Sequence, residues 1–315
     1  MSKEKLFLAF DTSNYTTSCG LCNEAGDVVL NLKLPLPVKD GERGLRQSDA
    51  LFHHTNRLPT LIRDLKFDGE IVAVGYSARP RDVEGSYMPC FLAGRSIAEG
   101  IGAAMQKPVY SFSHQNGHIM AALYSCNRTD LVSEDFYAFH VSGGTTEVLS
   151  VSHSDEYVFS VNKIGGTLDL NAGQVIDRIG VLMGLSFPCG KELEKLALSY
   201  ECKIDKYKVS VKDIECNLSG LESKAAALFK ETGDKCRVAA FVIKGVADTL
   251  KSITENLLKN YGEKPIVYAG GVMSCSVIRD MLSCYGSFAS PDFSCDNAAG
   301  TSLLTRYSYY KNKEL

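Results

Sequence analysis

The stretch LFLAFDTS, at residues 6–13, is an apolar run of strand length that ends in an aspartate and two hydroxyl side chains. Apolar runs resume at residues 19–22 and 28–32, and a turn sequence that contains Gly26 separates them. Short apolar runs bounded by polar turns are typical of buried β-strands. Residues 6–32 therefore predict a meander of three strands.

The same pattern starts again near the middle of the chain. The run FYAFHV at residues 136–141 leads into a glycine turn, and two more strand-like runs follow at residues 147–151 and 157–161. In both halves, alternating helix-like and strand-like segments come after the meander. This recurrence predicts an α/β fold of two lobes related by duplication, with a cleft between them. We expect the lobes at residues 1–133 and 134–315, with the last helix able to pack back on the first lobe.

The composition is that of an ordinary globular protein, with 315 residues, 45% hydrophobic and 23% charged. The net charge of −3 gives no global basic surface, so any contact with RNA has to be local or shared with a partner. The Lys-rich residues 203–212 could contact RNA phosphate, although such runs are usually solvated. No stretch approaches the roughly 18 apolar residues of a membrane span.

The eleven cysteines, an odd number, argue against a disulfide framework. Residues 1–6 carry no signal-peptide pattern, so we expect a cytoplasmic protein. Cys19 and Cys22 have CxxC spacing but lie in a strand-like run, where residues three apart face opposite sides. We interpret this pair as packing, not as a zinc or redox site.

Metal-ligand spacing occurs in HQNGH, at residues 114–118. If a helix begins here, His114 and His118 project from one face. Imidazole nitrogen suits zinc or ferrous iron, but two histidines require a third ligand from elsewhere in the chain. The alternative is that the two histidines only satisfy each other or solvent. Gln115 argues against a zinc protease of the HExxH type, because its amide cannot accept a proton as the motif's glutamate does.

Two glycine turns follow predicted strands. SGG at residues 142–144 follows the strand at 136–141, and AGG at 269–271 lies between a strand at 265–268 and a helical segment at 274–284. Glycines let the backbone approach a ligand closely, and successive amides can form a nest for an anion. A plain tight turn is the alternative for each, but their joint placement at strand ends favours nucleotide binding.

Each of two polar turns in the first half could either bind a ligand or only stabilise the fold. Asp11 and the hydroxyls after it can approach a phosphate or its cation, or they can stabilise the turn by hydrogen bonds. Arg79 and Arg81 flank Pro80 after a strand-like run at residues 71–76. Their guanidinium groups suit an anion, but such turns are more often solvated.

Taken together and in order, these motifs resemble those of the TsaD family. The matching segments are residues 11–13 (DTS), 94–98 (GRSIA), the HxxGH stretch, 141–144 (VSGG), Asp177, Gly190, 217–221 (NLSGL), 269–272 (AGGV) and 295–297 (CDN). Members of this family make threonylcarbamoyladenosine at position 37 of tRNA and were once called O-sialoglycoprotein endopeptidases. The resemblance implies the two-lobed actin-like ATPase fold, also called ASKHA and related to ribonuclease H.

The resemblance also implies a metal centre. The family binds one Fe2+ or Zn2+ through positions that correspond to His114, His118 and Asp296. Three protein ligands leave open positions, as a catalytic metal requires. The metal would hold threonylcarbamoyl-adenylate and polarise its carbonyl for attack by the N6 amine of adenosine.

Further family positions imply a site for an adenine nucleotide, either ATP or an acyl-adenylate. The implied catalytic residues are Asp11, at the first phosphate loop, and Ser142. The implied nucleotide-binding residues are Val141, Ser142, Gly143, Gly144, Thr145, Asp177, Gly190, Gly270, Gly271 and Cys275.

The chain departs from the family pattern around the nucleotide. Thr145 replaces the histidine of SGGHT, and Cys275 replaces an asparagine after the AGGV motif. Arg79-Pro80-Arg81 stands in place of a glycine-rich turn. The paired Asp-Asp and Gly-Glu of the family become Asp169-Leu170 and Gly173-Gln174. We expect a divergent paralogue whose acyl donor and acceptor are open.

Three functions compete. The first is a transferase that carries threonylcarbamoyl, or a related acyl group, to tRNA or another acceptor. The second is a non-catalytic, nucleotide-binding subunit of a modification complex, and the third, a metalloprotease, conflicts with Gln115. The implied partners are tRNA, a smaller TsaB-like paralogue, a TsaE-like P-loop ATPase and a separate enzyme that makes the adenylate, with no membrane. Whether ATP is hydrolysed is open.

Overall fold

The structure, a computed structural model, describes residues 3–13, 15–37, 45–293 and 298–314. The chain forms two compact units. Unit 1 comprises Met1–Ser133, His153–Ser160 and Asp292–Leu315, and unit 2 comprises Glu134–Ser152 and Val161–Pro291. The two domains expected from the sequence, with a boundary after residue 133, stay a prediction.

The described residues form strands and helices throughout. The strands are β1 (Lys5–Asp11), β2 (Thr16–Asn23), β3 (Val28–Pro35), β4 (Glu70–Arg79), β5 (Val109–Ser113), β6 (Phe136–Val141), β7 (Thr146–Ser154), β8 (Val158–Thr167), β9 (Ser210–Lys212), β10 (Glu215–Asn217), β11 (Ile266–Ala269) and β12 (Ser287–Phe288). The α-helices are α1 (Gln47–Asp64), α2 (Phe91–Met105), α3 (His114–Ser125), α4 (Ala172–Leu182), α5 (Gly190–Leu198), α6 (Ser219–Thr232), α7 (Lys235–Tyr261), α8 (Ser276–Leu282) and α9 (Ala299–Glu314). Over the residues described, none of these helices is long and apolar enough to cross a membrane.

Unit 1 is built on a sheet with the strand order β3-β2-β1-β4-β5. β1, β2 and β3 form the predicted antiparallel meander, which is confirmed, and β4 and β5 run parallel to β1. Residues 6–10 of β1 are at most 1% exposed, and both α2 and α9 pack against this strand. A central strand covered by helices needs apolar side chains on both faces, which explains its unbroken apolar run.

The helix α3, which carries the HQNGH motif, packs against α9 through glycines. A Cβ atom on Gly300 would overlap with the carbonyl oxygen of Gly117 and lie 2.8 Å from the amide nitrogen of Ala121. A Cβ atom on Gly117 would lie 2.9 Å from Oγ1 of Thr301. The absence of these side chains therefore sets how closely the two helices approach.

Unit 2 is built on a second sheet, with the order β12-β11-β6-β7-β8-β10-β9. The predicted second meander, β6 to β8, is confirmed, and β11 runs parallel to β6. The buried rings of Phe139 and Tyr268 lie 5.0 Å apart between these two strands. The long helix α7 supplies much of the remaining core, with fully buried residues such as Val242, Val246 and Ile253.

The helix predicted at residues 274–284 is shorter than expected. Residues Gly271–Ser274 form a 3₁₀ turn, and α8 spans Ser276–Leu282. Gly270 has a φ of 104°, outside the helical range, so the chain turns sharply after β11 before a helix can begin.

The CxxC pair is buried, as the sequence predicts. Cys19 and Cys22 both lie in β2 and are 0% exposed, and burial raises the pKa of each thiol to about 12. Thiols this far from ionisation are poor metal ligands and nucleophiles, so the pair serves packing.

Candidate active site

The two histidines of the HQNGH motif lie in the first turns of α3. β5 ends at Ser113, whose hydroxyl oxygen accepts a hydrogen bond from the amide of Asn116 at 3.2 Å and so caps the helix. One turn apart on this helix, His114 and His118 bring their Nε2 atoms to 2.8 Å. The helix and the shared face agree with the spacing argument, and the contact between the two imidazoles is the one that its alternative, mutual satisfaction of the histidines, predicts.

Asp11 completes this cluster from the end of β1. Its side chain is 1% exposed, and its Oδ2 atom lies 2.8 Å from Nδ1 of His114. Its Oδ1 atom accepts from the amide and the hydroxyl of Ser13, at 2.9 and 2.6 Å, and the hydroxyl of Ser77 donates to Oδ2. Burial raises the pKa of Asp11, but the charge of His114 and these hydrogen bonds outweigh burial and lower the pKa to about 2. Asp11 is therefore a carboxylate at neutral pH.

The two histidines direct their donor atoms at each other. Their Nε2 atoms lie 2.8 Å apart, which is a hydrogen-bond distance, whereas two imidazoles on one tetrahedral zinc ion have nitrogens about 3.4 Å apart. A shared ion would therefore require the two rings to separate by about half an ångström. The third implied ligand, Asp296, lies outside the described residues. Among the residues that are described, no group of three His, Cys, Asp or Glu side chains could hold a metal. A third ligand would therefore have to come from a residue such as Asp296.

The arginine turn that departs from the family pattern contacts the start of α3. Nε of Arg79 donates to Oδ1 of Asp82 at 2.8 Å, and Oδ2 of Asp82 accepts from the hydroxyl of Ser113 at 2.6 Å. The carbonyl oxygen of Pro80 accepts from the amide of Gln115 at 3.1 Å. Arg79 is thus engaged in an ion pair whose carboxylate holds the capping serine of the histidine helix.

The glycine turn of unit 2 is closed by its own serine. After Val141, the hydroxyl oxygen of Ser142 accepts from the amides of Gly144 and Thr145, both at 3.2 Å, and lies 2.8 Å from Oγ1 of Thr145. A Cβ atom on Gly143 or Gly144 would meet nothing within 4 Å. The turn therefore has a fixed backbone with open space beside its glycines.

Among the other predicted nucleotide residues of unit 2, Asp177 lies in the middle of α4, and Gly190 and Cys275 lie at helix starts. Oδ1 of Asp177 accepts from the amide of Cys189 at 2.8 Å, directly before Gly190, the first residue of α5. Cys275 precedes α8 and is 8% exposed, and burial raises the pKa of its thiol. The thiol of Cys275 thus packs mainly into the core of unit 2.

Two residues of these clusters were not among the candidates from the sequence. Glu194 of α5 accepts from the amide and the hydroxyl of Ser276, at 2.7 and 2.6 Å, which fixes the start of α8. No local pattern predicts a contact across 82 positions. Ser77, the partner of Asp11, could have been found, because the carboxyl ends of the parallel strands β1 and β4 meet at one edge of the sheet.

We expect the two glycines of the AGG turn to respond differently to alanine. Gly270 has a positive φ of 104°, and a Cβ atom there would overlap with the carbonyl of Val141, so Gly270→Ala should destabilise unit 2 by about 2 kcal/mol or more. In the matched control Gly271→Ala, the Cβ atom meets nothing within 4 Å, and the change should stay within about 0.5 kcal/mol. Urea unfolding measures both, and equal losses would contradict this account of the turn.

Comparison with solved structures defines the class of fold. One match is full-length HypF in a phosphate- and nucleotide-bound form. The alignment covers 100% of this chain and 57% of HypF, with a TM-score of 0.60 and 13% identity. Component A of the (R)-2-hydroxyglutaryl-CoA dehydratase of Acidaminococcus fermentans covers 98% of this chain and 99% of its own, with a TM-score of 0.51 and 16% identity. The predicted actin-like ATPase fold is confirmed.

Comparison of sequences defines the family. A family model described as TsaD, tRNA N6-adenosine threonylcarbamoyltransferase, matches residues 48–303, and the chain belongs to this family. A protein of that name from Streptococcus suis strain 05ZYH33 is 26% identical over 329 residues, which cover all of this chain and 95% of the relative. Another, from Streptococcus pneumoniae strain ATCC 700669 / Spain 23F-1, is 26% identical over 291 residues, 89% of this chain and 84% of the relative. The relatives are named as transferases, which supports an enzyme.

Proposed function

We propose that this chain is a metal-dependent acyltransferase that moves threonylcarbamoyl from threonylcarbamoyl-adenylate to N6 of adenosine 37 of tRNA. The observation that carries the proposal is the cluster of Asp11, His114 and His118, in which two imidazole Nε2 atoms from one helix face each other beside a buried carboxylate. Membership of the TsaD family, whose named relatives are tRNA transferases, supports it.

In the proposed reaction, the N6 amine attacks the carbamoyl carbon of the adenylate. A C–N bond forms, the C–O bond to the phosphate of AMP breaks, AMP leaves, and the amine gives up one proton. His114, His118 and Asp296 would hold Fe2+ or Zn2+, which supplies Lewis-acid polarisation of the carbonyl when bound. The carboxylate of Asp11, 2.8 Å from Nδ1 of His114, would orient that imidazole.

The glycine turns of unit 2 are the proposed surface for the adenylate, or for ATP. The amide of Gly173, at the start of α4, donates to the carbonyl of Ser142, so a helix N-terminus lies beside the SGG turn. Helix N-termini favour anions such as phosphate. We assign Gly270, which packs against the backbone of Val141, and also Asp177, Gly190 and Gly271 to the same role.

Two departures from the family pattern lie where the nucleotide part of the acyl donor is expected to bind. Thr145 places a hydroxyl, bonded to Ser142, where the family has an imidazole, and the thiol of Cys275 is mostly buried where the family has an amide. We propose that these two changes alter contacts with the nucleotide while the histidine pair is kept. The chain would act in the cytoplasm on tRNA, with a TsaB-like paralogue and a TsaE-like ATPase as partners.

The direct test is transfer in vitro. The purified, metal-loaded chain, with partner subunits from its source, is mixed with threonylcarbamoyl-adenylate and tRNA that lacks the modification. Nucleoside mass spectrometry should then detect threonylcarbamoyladenosine, and tRNA with guanosine at position 37 should give none. Nucleotide binding without any transfer would instead indicate the non-catalytic subunit.

A further inference from the structure

We propose that Asp11 is a positioning residue for His114: it fixes the imidazole with its proton on Nδ1 and its Nε2 lone pair directed toward the metal. This gives Asp11 a different role from the phosphate-loop role that the sequence suggests. The inference rests on the metal site of the proposed function and deepens it.

The contact with Asp11 decides which ring nitrogen of His114 carries a proton. Both oxygens of Asp11 accept from amide and hydroxyl donors of the protein. The 2.8 Å contact between Oδ2 of Asp11 and Nδ1 of His114 therefore places a ring proton on Nδ1. Nε2 is then the ring atom left for a metal, and it is the atom that lies 2.8 Å from Nε2 of His118.

The carboxylate of Asp11 has no free lone pair with which to bind a phosphate-bound cation. A carboxylate offers about four lone-pair sites. Oδ1 receives the amide and the hydroxyl of Ser13, and Oδ2 receives the hydroxyl of Ser77 and Nδ1 of His114. The side chain is 1% exposed, so neither a cation nor water has access to it. Its donors are all groups of the protein itself.

The backbone fixes the positions of Asp11, Ser77 and His114. Asp11 is the last residue of β1, Ser77 lies near the end of β4, and His114 directly follows β5. These three strands are adjacent and parallel in the sheet. The hydroxyl of Ser77 also lies 3.3 Å from Oγ1 of Thr301 on α9. Backbone pairing thus places the carboxylate, its support and the histidine at one sheet edge.

In such a pair, the carboxylate affects the metal only through the histidine that binds it. Carboxylates that accept from the far nitrogen of a metal-bound histidine fix its orientation and raise its basicity, and their loss weakens metal affinity by about 10- to 100-fold. In Asp11→Asn, an amide NH2 facing Nδ1 favours the opposite tautomer, with the proton on Nε2. We expect a loss of affinity within that range.

The experiment uses the full-length chain and needs neither tRNA nor adenylate. Zn2+ affinity is measured by competition with a chromophoric chelator for the unchanged chain, for Asp11→Asn, and for Asp27→Asn, a control in a hairpin turn where the carboxylate contacts Asn23. We expect a 10- to 100-fold loss in Asp11→Asn and no loss in the control. Unchanged Zn2+ affinity in folded Asp11→Asn would overturn the proposal, and weakened binding of Mg-ADP in that variant would point back to the phosphate-loop role.

A second measurement does not depend on Asp11→Asn. The signals of His114 are identified among those of the six histidines by their loss in His114→Ala. Nitrogen-15 spectra of histidine-labelled, metal-free chain report which ring nitrogen of His114 carries the proton, and we expect Nδ1. A proton on Nε2 would overturn the proposal even if Asp11→Asn fails to fold. Because both readouts are independent of acyl transfer, failure of the transferase function would leave them intact.

Discussion

Replacement of His114 by alanine is expected to remove the bound metal and to stop acyl transfer without unfolding the chain. His114 provides one of the two Nε2 atoms that stand 2.8 Å apart, and its loss leaves a single imidazole on α3. Since loss of a mere supporting group costs about 10- to 100-fold in metal affinity, loss of a ligand should cost at least about 100-fold. Metal content after dialysis, by mass spectrometry, and the rate of transfer measure the two effects.

The matched control is His53→Ala, which removes an imidazole from α1 and leaves the candidate site untouched. It should keep both metal and transfer. The thermal unfolding midpoint of His114→Ala should lie below that of the metal-free parent chain, because the buried Asp11 loses its imidazole partner, but the chain should still unfold cooperatively. If folded His114→Ala retains its full metal content, the assignment of the metal site is wrong.

Replacement of Gly300 by alanine is expected to give the largest loss of stability. The new Cβ atom would overlap with the backbone of Gly117 on α3, and a backbone carbonyl cannot rotate away as a side chain can. Overpacking costs about 1 to 3 kcal/mol, and we expect the upper end of this range. Because α3 carries His114 and His118, metal affinity should fall together with the free energy of unfolding in urea.

The matched control is Gly100→Ala, which makes the same change in an exposed part of α2. There a Cβ atom would meet nothing within 4 Å, so the variant should gain about 0.5 to 1 kcal/mol from better helix propensity. A Gly300→Ala variant as stable as Gly100→Ala would show that α3 and α9 do not approach as closely as described.

The alternation of the elements was predictable because it depends on local pattern. The apolar runs of β1 and β6 are unbroken since both strands lie inside their sheets, β1 between β2 and β4 and β6 between β11 and β7. The spacing of His114 and His118 also correctly predicted a shared helix face. In each case the deciding information lies within a few residues, where side-chain periodicity follows directly from backbone geometry.

Contacts between distant parts of the chain were not predictable. Asp11 and His114 are 103 positions apart, and only the strand order of unit 1 brings them together. The start of α8 was misplaced because the backbone at Gly270, not the apolar pattern, decides where that helix begins.

Asp169, which directly precedes the departure from the family at Leu170, has a capping role that was also not predictable. Its carboxylate accepts from the amides of Leu218 and Ser219, at 2.7 and 3.2 Å, and so caps α6 across about fifty positions. Partial desolvation raises the pKa of Asp169, but these hydrogen bonds and those from the Ser219 hydroxyl and the Leu170 amide lower it overall. No local pattern in the sequence indicates this capping role.

The most direct test of the central claim is the nucleoside content of tRNA in living cells. Cells depleted of their own TsaD enzyme receive this chain with partner subunits from its source, and their tRNA nucleosides are measured by mass spectrometry. The account predicts that threonylcarbamoyladenosine returns with the unchanged chain and stays absent with His114→Ala. Its absence with a folded, metal-loaded, unchanged chain would contradict the account and point to a different acyl donor or acceptor.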